Sequence, residues 1–284
     1  MEALLWSLGH RPYVTGFMIG FFLLSVREQG WLRTWVWVIT SYLLALSAEW
    51  GSIRHGIPFG DYQYHYDALS KDLVILGVPF FDTISFSFLS YVSYSFALYF
   101  LLPLRGSGYF SRRLDNPQCR RSLGALFLGS VLMVVIDLIV DPIANLGEHW
   151  FLGKIYDYPN PGIHFGVTFA NYAGWFAVAL ATLGVNQRLD LMLERAGFSH
   201  PLSDQEGTPA VFAPLFWISI LGFQLGITWW IALSPGVTLD PWIIRLQAVT
   251  GSFIVAPIVA LALVQPFRSR DSGLLSPADS GSDR

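Results

Sequence analysis

Residues 123–142 read LGALFLGSVLMVVIDLIVDP, and from Leu123 to Val140 the only ionisable side chain is Asp137. At about 1.5 Å of rise per residue, a helix over this run approaches the roughly 20 residues that cross the hydrocarbon of a bilayer. An ionisable group inside such a helix is costly and persists where it is used or paired. Asp137 and Asp141 are four residues apart, which places them on one helix face a turn from each other, and Pro142 is expected to end the helix there. Two carboxyl groups that close in an apolar setting resist being charged together, so one proton is expected to stay on the pair. A neutral carboxylic acid in an apolar pocket is the group that protonating a weak base such as an alkene requires. The structural alternative is that Asp141 caps a helix or pairs with Arg54 while Asp137 bonds inside the bundle.

Six further apolar runs flank this one: Tyr13–Val26, Trp31–Ala48, Phe80–Leu102, Phe169–Val185, Val211–Leu233 and Trp242–Val264, the first of which can begin nearer Ser7. With 53% hydrophobic and 13% charged residues, the chain of 284 belongs with membrane proteins. The segments lack the alternation of a membrane barrel. The expected fold is therefore all-α, a polytopic integral membrane helix bundle of about seven transmembrane helices over residues 1–266, with a disordered polar tail over 267–284. Net charge of −3 with scattered acids argues against nucleic acid as a partner, and the single cysteine, Cys119, excludes an internal disulfide. The start, Met1 to Trp6, lacks a basic region and a small-residue cleavage pattern, so no removable signal peptide is expected. Sequence sets no oligomeric state, and no internal repeat of the transporter kind is visible.

Basic residues fall mainly after the first, third, fifth and seventh runs, as in Arg27 and Arg33, Arg105 to Arg121, Arg188 and Arg195, and Arg268 onward. By the positive-inside rule those sides are expected to be cytoplasmic in a multi-pass cell-membrane protein, with the N-terminus outside and the C-terminus inside. The loops Glu49–Asp72 and Asp141–Asn171 then share the outer face.

On that face lies Glu49-Trp50-Gly51, followed by Gly56-Ile57-Pro58-Phe59-Gly60-Asp61-Tyr62-Gln63-Tyr64 and then His65-Tyr66. Three glycines and a proline argue against a continuous helix from Glu49 onward, and Glu49 sits at the hydrocarbon edge, where a charge needs a purpose. Asp82, near the start of the third run, reads either as a helix cap or as a further member of an acid cluster. Asn171 can hold a water or orient a carboxylate, Gly174 permits a second helix to approach, and Trp50, Tyr62, Tyr64 and Trp175 offer ring faces, with interfacial anchoring as the plainer role. His55, His65, His149 and His164 share the side but lack helical metal-ligand spacing, so no metal site is expected. No phosphate-binding glycine loop or serine nucleophile turn is present, and no cofactor is expected.

Glu49 with Gly51, Gly56 to Tyr64, Gly77-Val78-Pro79, Asp137 with Asp141-Pro142, and Phe165-Gly166-Val167 followed by Asn171 to Trp175 together resemble the integral-membrane carotenoid biosynthesis family. That family includes carotenoid 1′,2′-hydratases such as those acting on γ-carotene and bisanhydrobacterioruberin. The resemblance spans approximately Trp35 to Ala181, and Thr168 stands where the family pattern leads one to expect proline. It implies a hydro-lyase that adds water across the terminal double bond of an acyclic carotenoid end, with a long carotenoid or polyprenyl substrate, water and the bilayer as partners. On this reading Asp137 is the expected proton donor, Asp141 or Glu49 activates water, Asn171 places it, and the rings of Tyr62, Tyr64 and Trp175 face the cation. Two alternatives stay open: another acid–base enzyme of prenyl lipids, such as a cyclase or isomerase, and a membrane carrier or receptor.

Overall fold

The computed structural model describes residues 2–106, 108–150, 153–200, 208–235 and 240–268. Its helices are α1 (Glu2–His10), α2 (Pro12–His55), α3 (Phe80–Leu101), α4 (Pro117–Arg120), α5 (Leu123–Ala144), α6 (Phe169–Arg195), α7 (Phe212–Leu233) and α8 (Pro241–Arg268). Among the described residues α2, α3, α5, α7 and α8 are long and apolar enough to cross a membrane. Helix α2 is two rods. Gly30, at φ 76° and ψ 169°, holds a conformation that only glycine adopts readily, and the chain reverses there. Ser25 and Thr34 hydroxyls meet at 2.8 Å, and the Phe22 and Trp35 rings lie 5.2 Å apart. On a straight helix the second pair would be separated by about 20 Å. The two arms reproduce the first two expected spans, and α6 adds the seventh rod, its apolar run continuing into a polar end.

Several expectations on boundaries are corrected. The first run does not extend back to Ser7, because α1 is a separate short helix ahead of Pro12. Helix α2 continues past Glu49 and Gly51 to His55, where Gly56 in the left-handed region stops it and donates its N–H to the Ser52 carbonyl. Pro142 does not end α5, which runs on to Ala144. Helix α8 passes Pro266 and reaches Arg268, and the rest of the expected disordered tail lies outside the described residues.

Helices α3 and α5 form the centre. Helix α3 packs on α2, α5, α6 and α7, and α5 on α6, α7 and α8. Close approach is possible because α3 presents Ser87, Ser90, Ser93 and Ser95, all fully buried, to its neighbours. Ser90 Oγ accepts the indole N–H of Trp37 at 3.0 Å. Large apolar side chains such as Leu23, Trp35, Ile39 and Leu43 on α2 and Trp242, Phe253 and Leu261 on α8 stay exposed. So wide an apolar girdle fits lipid and not water. The strands are two-residue ladders in the loops. β2 (Val74–Ile75) turns through Leu76 and Gly77, both at positive φ, into β3 (Val78–Pro79), which delivers the chain to α3.

The bundle end holding Gly30 carries a buried charge network. Arg113 pairs with Glu28, which also accepts the hydroxyls of Tyr91 at 2.8 Å and Ser95 at 2.7 Å. Asp190 joins Arg33, Arg120 and Arg121 at 2.5–2.8 Å. Arg33, Arg113, Arg120 and Arg121, four of the arginines counted as cytoplasmic, gather here. Arg113→Ala strands the Glu28 carboxylate in the interior and is expected to lower unfolding stability in detergent by about 3–5 kcal/mol, with the Glu28→Gln/Arg113→Met double variant recovering part of the loss.

Candidate active site

Opposite that network, the ends of α2, α3, α5 and α6 converge on a cavity of about 140 Å³. The loops close it. Beyond Gly56 the chain folds back, the Phe59 N–H donating to Ser52 Oγ at 2.9 Å and its ring turning inward beside Phe86 and Trp175. A Cβ on Gly174 would stand 2.6 Å from the Pro58 carbonyl, so the missing side chain admits this loop and not a second helix, as the sequence had led us to expect. β1 (Gln63–Tyr64) pairs antiparallel with β6 (Tyr156–Asp157), setting Tyr64 opposite Tyr156. Thr168 has a definite use: its hydroxyl caps α6 by accepting the Asn171 N–H at 3.3 Å.

Four carboxyl groups meet here. Glu49, 8% exposed in the last turns of α2, accepts the Tyr62 hydroxyl and, at 3.3 Å, that of Tyr64. Asp82 is not the cap of α3, since Pro79 holds that position; the Tyr64 hydroxyl, with one proton to give, lies closer to it, at 2.8 Å, than to Glu49. Asp141 accepts Tyr156 at 2.9 Å, Tyr158 at 2.7 Å and the Asn171 amide at 2.8 Å. The same amide reaches Asp137 at 2.8 Å. Asn171 is thus a clamp on two carboxyl groups, and neither of the plainer roles foreseen for Asp141 holds. Arg54 instead lies over the Trp50 ring at 5.0 Å.

Asp137 has no exposed surface and does not line the cavity; Asp141, Glu49 and Asp82 do. Oδ1 of Asp137 finds no donor among surrounding amides and hydroxyls, while the Asn171 amide, 2.8 Å from each carboxyl, holds Asp137 and Asp141 side by side. A proton retained on this carboxyl pair would give that oxygen a partner. Burial first, and then the nearby carboxyls, push the phenols of Tyr64, Tyr156 and Tyr158 well above their ordinary range, so all three remain hydroxyl donors at neutral pH. Most of the remaining wall is apolar, including Phe17, Phe59, Phe86, Phe88, Leu89 and Val140, with Trp175 stacked on Phe86 at 4.4 Å.

Of the residues singled out in the sequence, Glu49, Tyr62, Tyr64, Asp82, Asp141, Asn171 and Trp175 share the cavity, Asp137 stands behind it, and Trp50 is outside, 37% exposed against His55. Tyr66 also turns away, donating to the Gly77 carbonyl at 3.0 Å. Tyr156 and Tyr158 were not anticipated. Their alternation repeats that of Tyr62 and Tyr64, and the pairing of these two segments was the signal available. Gln224 of α7, also in the wall, had no signal beyond being polar within an apolar run. Among the described residues no three His, Cys, Asp or Glu side chains are grouped to hold a metal ion; His65 contacts Asp157 at 3.0 Å and His164 contacts Tyr172 at 2.5 Å.

No curated protein and no solved structure matches the chain. A family model described as carotenoid biosynthesis protein matches residues 12–242, a span that takes in every helix lining the cavity. An acid cluster at the end of an apolar, membrane-embedded pocket accords with a lipophilic substrate, and the chain belongs to the carotenoid biosynthesis protein family.

Proposed function

We propose that this protein is a carotenoid 1′,2′-hydratase, adding water across the terminal double bond of an acyclic carotenoid end. The observation that carries the reading is Asp141: a carboxyl group facing a largely aromatic cavity, with the Asp137 carboxyl held behind it by the same Asn171 amide. The cavity volume, about 140 Å³, is close to that of an apolar protein cavity that holds benzene. It suits the end of a polyene, with the remaining chain left among helices and lipid.

The order of events follows from the groups present. Asp141 donates its proton to the less substituted carbon of the terminal alkene, and Asp137, sealed from the cavity, shares the proton supply. Sequence points to Asp137 as the donor and to Asp141 or Glu49 as the base; the donor's role is assigned here to Asp141 because it lines the cavity and Asp137 does not. A tertiary cation results. Glu49 and Asp82 oppose its charge, and the faces of Trp175, Phe86 and Tyr62 stabilise it further. Water adds to the cation, and the proton it releases returns to Asp141. With the basic loops in the cytoplasm, this chemistry sits toward the outer leaflet, and the substrate enters sideways from lipid.

The test is expression in bacteria that accumulate lycopene or γ-carotene, followed by mass analysis of the pigments. A gain of one water is expected; isomers of unchanged mass would instead identify a cyclase or isomerase. Asp141→Asn is expected to reduce hydration roughly 10²- to 10⁴-fold with the protein still inserted. Asp137→Asn, which leaves the cavity wall intact, is expected to cost less, and unimpaired hydration by Asp141→Asn would dismiss the assignment.

Tyr158→Phe and Tyr156→Phe each remove one donor from Asp141 without opening the cavity. Each is expected to slow product formation about tenfold or more and, by taking a buried donor from Asp141, to cost about 1–3 kcal/mol of stability, read by pigment turnover in membranes beside a melting curve.

A further inference from the structure

Helix α7 runs through the apolar middle of the bundle, and one of its side chains is out of keeping with that setting. Gln224 is 3% exposed and lines the same cavity as Asp141, yet its Oε1 has no hydrogen-bond donor. The helix around it is regular, the Thr228 hydroxyl donating to the Gln224 carbonyl at 2.9 Å. The cavity wall it shares with Ile220, Phe17 and Leu89 is apolar on these side chains. A buried amide oxygen without a donor is rare in a native fold, and inside a membrane-spanning helix a buried polar group marks function.

The helix register fixes its depth. Trp217 Nε1 donates to the Leu132 carbonyl at 3.3 Å, tying α7 to α5. Further along, Leu225 and Ile139 close together around Gly251, so the two helices run in the same direction. Counting the same number of residues from Trp217 and from Leu132 brings Gln224 level with Ile139, two residues before Asp141. At ~1.5 Å per residue, that is about 3 Å of depth. The amide oxygen and the acid therefore face one cavity at nearly one level, from adjacent helices.

We infer that Gln224 holds the attacking water, its Oε1 accepting one O–H. The inference rests on the hydration reading above. An acyclic hydrocarbon end has no N–H or O–H, so the substrate cannot satisfy Oε1, whereas water and the tertiary alcohol formed from it can do so in one place. The step balances without any co-reactant. The Asp141 O–H bond breaks, and the alkene π pair takes the proton into a new C–H bond. A lone pair of the water on Gln224 forms the C–O bond, and the oxonium proton goes to the Asp141 carboxylate. If no water is held, the cation's remaining exit is loss of a proton, which regenerates an alkene of unchanged formula.

That partition supplies the experiment. Membranes carrying the full chain and lycopene are incubated in D₂O, and both products and recovered carotenoid are analysed for mass and deuterium. Gln224→Met, similar in length but unable to accept the bond, is expected to lose hydrated product at least about tenfold while recovered carotenoid takes up as much deuterium as with wild type, or more. Gln224→Asn, which keeps the amide but withdraws it, is expected to shift the partition the same way to a smaller extent. If hydration and deuterium uptake fall together in both variants, Gln224 serves only the fold and the inference fails. It fails equally if hydration is unchanged. If wild type yields no hydrate while the carotenoid still gains deuterium, the hydration reading itself is overturned, and the inference goes with it.

Discussion

Four carboxyl groups buried at one end of an apolar helix bundle need hydrogen-bond donors, and that need shapes this half of the protein. Glu49, Asp82, Asp137 and Asp141 arrive on three helices that offer them almost nothing. Their donors come from elsewhere: Tyr62 and Tyr64 from one loop, Tyr156 and Tyr158 from another, and Asn171 from the first turn of α6. An unpaired buried carboxylate costs several kcal/mol. Loops that would otherwise lie over the bundle are therefore drawn into it, and the β1–β6 ladder holds the two tyrosine segments at a common level.

The opposite end solves the same problem differently. Glu28, Asp115, Asp190 and Glu194 there are met by arginines, giving a network of ion pairs. Carboxylates matched by guanidinium groups have little freedom to exchange protons with a ligand. Carboxylates matched by phenols and an amide keep their chemistry available, because a neutral donor lowers the cost of burial without fixing the charge. This contrast, more than the number of acids, singles out the cavity end as the candidate site. The N-terminal segment is secured in the structural way: Arg11 bonds Asp72 at 2.9 Å and lies over the Phe81 ring at 3.6 Å, anchoring α1 beside the cavity.

The cavity lining joins the two halves of the chemistry. On the proposed reading, carboxyls at one end and stacked aromatics along the rest serve to protonate an alkene and to tolerate the resulting cation. Membership of the carotenoid biosynthesis family supplies the class of substrate. Burial of the phenols keeps them protonated, so they orient Asp141, Glu49 and Asp82 without competing for the proton.

The bundle, its spans and the gathering of Glu49, Tyr62, Tyr64, Asp141, Asn171 and Trp175 were legible in the sequence, since apolar run length and the cost of an intramembrane acid are local properties. Proline and glycine were read too strongly: Gly51 and Pro142 lie within helices because neighbouring elements hold the backbone there. What a side chain faces was not legible. Trp50 and Trp175 look alike in sequence, yet one stands outside and the other in the cavity wall. Asp137 and Asp141 share a helix face, yet only the second reaches the cavity, because Asn171 and the loop tyrosines meet the end of α5 and cover the turn before it. Gln224 acquires meaning only beside α5. Sequence determined which segments enter the membrane and which groups are too costly to be idle there; tertiary packing alone decided which of them touch the same empty space, because helix rotation and loop return depend on contacts between residues far apart in the chain.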